Sequence, residues 1–179
     1  MNSRFTTKTI AFCAMMASLA TVLMLAGGLI PIMTYCAPLF GALCLIPVNE
    51  KYGSTPAWTT WAAVSILTLL IGADKEAAFF WIFFSWYPII KKRMDSISPK
   101  PMKTALKLLL FTASALIMYA LTCYVLGIEE IIESFSERWW LNAVFLAAVV
   151  AVMMIYDYAL DSMQSVIMHL TDRITGNRR

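Results

Sequence analysis

IAFCAMMASLATVLMLAGGLI, residues 10–30, is an uncharged run in which only Ser18 and Thr21 carry polar side chains. At 1.5 Å per residue it makes a helix of ~31 Å, enough to cross the ~30 Å hydrocarbon layer of a bilayer. The preceding MNSRFTTK imitates the basic start of a signal peptide. The apolar run that follows extends from Ile10 to Met33, well past an h-region of ~7–15 residues, and no small-x-small cleavage site follows it. The first helix is expected to stay in the protein and in the membrane.

The rest of the chain repeats this texture. Hydrophobic residues make up 60% of the 179 positions and charged residues 14%, whereas a soluble domain devotes roughly a quarter to charge. Mean hydropathy is +0.72. The expected fold is all-α, a single integral membrane bundle of six transmembrane helices at 10–30, 35–48, 55–71, 77–90, 105–126 and 139–156. The second and fourth runs are short, at ~21 Å. Pro31, Pro38 and Pro47 around the second fit an irregular helix held inside the protein.

Charge placement sets the expected orientation. Arg4 and Lys8 precede the first run, and Lys91, Lys92, Arg93, Lys100, Lys103 and Lys107 gather around the connection before the fifth. The connection before the sixth is acidic, with Glu129, Glu130, Glu133 and Glu137 against Arg138. With the N-terminus in the cytoplasm, twelve of the fourteen Lys/Arg lie inside, and only Lys75 and Arg138 lie outside. The positive-inside bias therefore favours a multi-pass protein of the cell membrane with both termini cytoplasmic. Beyond Tyr156, polar residues (Asp157, Asp161, Gln164, Ser165, His169, Asp172) and apolar ones (Leu160, Met163, Val166, Ile167, Leu170, Ile174) alternate at helical spacing. An amphipathic cytoplasmic tail helix over 157–174 is expected, with a solvated face or a partner-docking face.

Catalytic signatures are missing from the sequence. It has no phosphate-cradling glycine loop, no G-x-S-x-G elbow and no H-E-x-x-H. The single histidine, His169, sits on the tail near Asp161 and Asp172, a surface setting more than a general-base one. Cys13, Cys36, Cys44 and Cys123 are scattered without C-x-x-C or nearby histidine, so apolar packing is expected and no metal site. No enzymatic activity, cofactor or nucleic-acid partner is expected.

Two patterns remain. In the first helix Ala14/Ser18 and Ala17/Thr21 are small-xxx-small pairs, which permit close helix approach either within the bundle or against another membrane protein. In the third connection Asp74, Lys75 and Glu76 form a charged triplet on the predicted outer side, either as a helix cap or at the mouth of a ligand cavity. Tyr35, Trp81, Trp139, Trp140 and Asn142 fall near the same side. Tryptophans there usually anchor to the interface, whereas Asn142 is polar inside an apolar run.

A short basic N-terminus, an alanine-rich first helix (AFCAMMASLA), a break at GGLIP, a continuation as APLFGALCLIPV and six short helices in 179 residues form a recognisable texture. It resembles the substrate-binding S components of energy-coupling factor (ECF) transporters. The resemblance implies a small molecule bound in an outward-facing cavity, here with Tyr35, Asp74, Lys75, Glu76 and Asn142 as candidate contacts. It also implies docking through Ala14, Ala17, Ser18 and Thr21 to a transmembrane T component, with two cytosolic ATPases supplying energy. The family's A-x-x-x-A spacing is not strict here, since Ala14 meets Ser18 and Ala11 meets Met15. The alternative is a non-transporting membrane scaffold or assembly factor of the same architecture.

Overall fold

Two of the expected spans are not single helices, and prolines explain why. The computed structural model describes residues 6–28, 33–72, 74–96, 100–126 and 139–174. Over the second run it places α2 (Met33–Ala42) and α3 (Leu45–Tyr52), and over the fourth α5 (Lys75–Phe84) and α6 (Tyr87–Asp95). Pro47 and Pro88 lack the N–H that would bond Leu43 and Phe84, four residues earlier, and their rings clash with those carbonyls. The helices break at those points. At the first break the amide of Ile46 reaches the Leu43 carbonyl instead, at 3.2 Å, so the group is not left bare. Both interruptions are buried: Cys44, Leu45, Ser85 and Tyr87 have almost no exposure.

The remaining helices are longer. α1 is Thr7–Gly27, α4 is Ser54–Ile71, α7 is Lys100–Leu126 and α8 is Trp139–Ile174. The sixth run and the tail are therefore one continuous helix of 36 residues. All described residues outside short turns are helical, with no strand among them. Three helices are long and apolar enough to cross a membrane: Thr7–Gly27, Ser54–Ile71 and, within α7, Pro101–Met118. At most 33% of each is buried, so most of their apolar surface faces outward, as a lipid-covered protein requires.

The chain divides into two compact units. The first comprises residues 1–92 and 159–179. In it α1 turns Ala17, Ala20, Thr21, Met24 and Gly27 inward and Ile10, Met15, Leu19 and Val22 outward. Without a hydrophobic force between helices in lipid, small residues carry the contact by letting backbones come close. A Cβ on Gly27 would collide with the methyl of Ala37, and one on Gly41 would lie 2.8 Å from the Trp81 ring. Trp81 is wholly buried there, with its indole N–H 3.4 Å from the Trp61 carbonyl, so it is a core residue and not the interfacial anchor its position suggested. Side chains also bridge the two broken helices. Ser85 donates to the Pro38 carbonyl at 3.1 Å, and the Asn49 amide donates to Ile89 at 3.3 Å. The turn from α3 into α4 uses Gly53 at φ 90°, a left-handed conformation that glycine adopts at little cost.

The second unit, residues 93–158, holds α7 and the first part of α8. Its interior includes Phe111, Ala115, Met153 and Tyr156, and also Lys107.

Candidate functional site

The charged triplet lies where the end of α4 turns into α5, and each of its side chains has a distinct task. Asp74 is the N-cap of α5, its carboxylate accepting the Ala77 amide at 3.0 Å. An acidic cap satisfies an orphan amide and sits favourably at the positive end of the helix. Lys75 turns back to α4 and donates to the Leu69 and Gly72 carbonyls at 2.7 and 2.9 Å. It thereby neutralises the negative end of that helix. Glu76 accepts a hydrogen bond from the Tyr35 hydroxyl at 3.2 Å, across 41 residues of sequence. Of the triplet, Asp74 is the helix cap, whereas the Lys75 ammonium is bonded to carbonyls.

Tyr35 enters from the third position of α2 and sets its ring edge-on to Phe80, with centroids 5.7 Å apart. The end of α1 also reaches this place, since a Cβ on Gly28 would stand 3.3 Å from that of Asp74. Tyr35, Asp74, Lys75 and Glu76 are thus gathered at one end of the first unit, with a half-exposed tyrosine and two carboxylates. Such a set can hold a ligand's amine, amide or hydroxyl donors through the carboxylates, and its flat apolar portion against Tyr35. Asn142 belongs to α8 in the second unit, with its side chain outside the described residues. The side chains of Trp139, Trp140, Cys123 and His169, and the acidic connection 129–137, likewise lie outside them.

The four docking candidates on α1 divide between two faces. Ala17 and Thr21 are buried within the unit, and Thr21 returns its hydroxyl to the Ala17 carbonyl at 2.8 Å. Ala14 and Ser18 are exposed, and Ser18 bonds the Ala14 carbonyl at 2.8 Å. Of the four, only Ala14 and Ser18 are exposed and available to another protein. No group of three or more potential metal ligands occurs among the described residues, and Cys13, Cys36 and Cys44 are free thiols.

One constellation escaped the sequence reading. In the second unit the Lys107 ammonium lies 2.7 Å from Asp157 and 2.9 Å from Asp95. Lys103, one turn earlier, is 2.7 Å from the same Asp95 oxygen. The tail expectation placed Asp157 on a solvated polar face, but its side chain is only 14% exposed because Lys107 holds it inward. A signal was present: Lys103 and Lys107 at i, i+4 in an apolar helix, and Asp157 closing an uncharged run. Isolated opposite charges in apolar helices seek one another.

Comparison of the chain with protein-family models, curated proteins and solved structures finds no match.

Proposed function

We propose that this is an S-component-like membrane protein that captures a small molecule on the outer side and relies on a T component and two ATPases for uptake. The observation that carries the reading is the convergence of Tyr35, Asp74 and Glu76 at one end of the first unit. The six-crossing, N-in and C-in arrangement belongs to the same proposal. Each broken pair, 33–52 and 75–95, has ~30 Å of summed helical rise, enough for α2 with α3 and α5 with α6 each to make one crossing where the two halves run in line. Interrupted helices are tolerated at membrane depth where protein buries them, as it does here. Charged residues gather at the opposite end of the same unit, where Lys92 pairs with Glu50 at 3.1 Å and Lys51 lies 5.8 Å from the Phe12 ring centre.

The scaffold reading is favoured by a different observation. Asp74 caps a helix and Lys75 binds carbonyls, so two of the three charges already serve the fold. Native purification followed by mass spectrometry of bound species separates the two. Transport predicts a co-purifying small molecule and two ATPases. Tyr35→Phe and Glu76→Gln would each weaken binding about tenfold or more through a lost hydrogen bond. Membrane partners recovered without a bound compound would support the scaffold.

A further inference from the structure

Residues 20–28, 33–42, 64–72 and 74–84, which bring α1, α2, α4 and α5 to the triplet, contain no other charge. Two carboxylates there stand against one ammonium. That ammonium is already committed, since Lys75 donates to the Leu69 and Gly72 carbonyls at 2.7 and 2.9 Å. Its charge offsets the negative end of α4. The carboxylates are used only in part. Asp74 accepts the Ala77 amide through Oδ1, and Glu76 accepts the Tyr35 hydroxyl through Oε2. Their other oxygens, Oδ2 and Oε1, have no partner among the described residues. Both side chains are half-buried at the end of an apolar bundle, where excess negative charge is costly. The Tyr35 ring is 46% exposed, is braced edge-on by Phe80 and offers its negative π face beside Glu76.

We propose that the ligand of this site is a small organic cation, an amine or quaternary ammonium. Its charge meets the open oxygens of Asp74 and Glu76, and its apolar portion lies against Tyr35. This class rests on the reading of the protein as one that captures a small molecule, and narrows that reading by charge. A monocation balances the excess negative charge, and an amine gains charge-assisted hydrogen bonds that neutral donors make more weakly. Tyr35 adds a cation–π face. An anionic ligand would meet two like charges and an ammonium already held by carbonyls. A hard divalent metal takes ~6 or more oxygens, and no group of three or more potential ligands occurs among the described residues.

The test is equilibrium dialysis of the full chain in detergent, at neutral pH and low salt, with micelles alone as the blank. The probes share one shape and differ in charge: benzylammonium, benzyl alcohol and benzoate. Benzylammonium is expected to bind about tenfold more tightly than either of the others. Glu76→Gln keeps an acceptor for the Tyr35 hydroxyl but removes the charge, and is expected to weaken benzylammonium about tenfold. Lys75→Gln keeps a donor for the α4 carbonyls but removes the opposing charge, and is expected to tighten benzylammonium severalfold. Preference for benzoate that disappears in Lys75→Gln would overturn the cationic class and leave small-molecule capture standing. Benzyl alcohol bound as tightly as benzylammonium would do the same. Retention of none of the three would also overturn the class. If native mass spectrometry then shows no bound compound, the transport reading falls with it.

Discussion

At residue scale the triplet shows how one short stretch can serve both fold and site. Asp74 satisfies the Ala77 amide, so Asp74→Ala is expected to cost about 1 kcal/mol in unfolding of the detergent-solubilised protein, and Asp74→Asn much less. Equal loss in both variants would remove capping as the reason for this residue. Gly41 makes a sharper case. A methyl there meets the Trp81 ring at 2.8 Å in a fully buried setting, so Gly41→Ala should destabilise by about 1–3 kcal/mol, visible as a lowered thermal midpoint. An unchanged midpoint would mean the ring has room to move. The cap was legible in the sequence because an acid before an apolar helix has a local meaning. The Tyr35–Glu76 bond and the cluster around Lys107 span 41 and 50 residues, respectively, and no local rule pairs residues at such distances.

At element scale the first and third apolar runs closely match the observed helices. Expected 10–30 and 55–71 appear as Thr7–Gly27 and Ser54–Ile71, because uninterrupted apolar length is a strong signal. The broken pairs were half legible. Pro38 and Pro47 announced irregularity in the second run, whereas the break in the fourth follows from Pro88. Periodicity correctly drew a helix through the tail but not its surroundings, since Asp157 turns toward Lys107. For α1 the two small-residue faces give opposite expectations. Ala17→Leu puts bulk between packed helices and should lower expression and thermal stability. Ser18→Leu points outward, so expression should hold while recovery of a membrane partner falls. If Ser18→Leu leaves the complex intact, the exposed face of α1 touches only lipid.

At the scale of the whole molecule, three helices among the described residues have the length and apolarity to span a membrane, and six crossings with both termini inside are the proposed arrangement. The proposed orientation rests on the asymmetry of fourteen basic residues, each worth up to ~3 kcal/mol if dragged to the bilayer centre on insertion scales. That asymmetry was fully legible, since it depends only on where charges fall between apolar runs. The most direct measurement places single cysteines at Ser54, Ser98 and Ser134 in a cysteine-free background and treats intact cells with a membrane-impermeant thiol reagent. Labelling is expected at Ser134, with protection at Ser54 and Ser98 until the membrane is opened. Labelling at Ser98 with protection at Ser134 would contradict it.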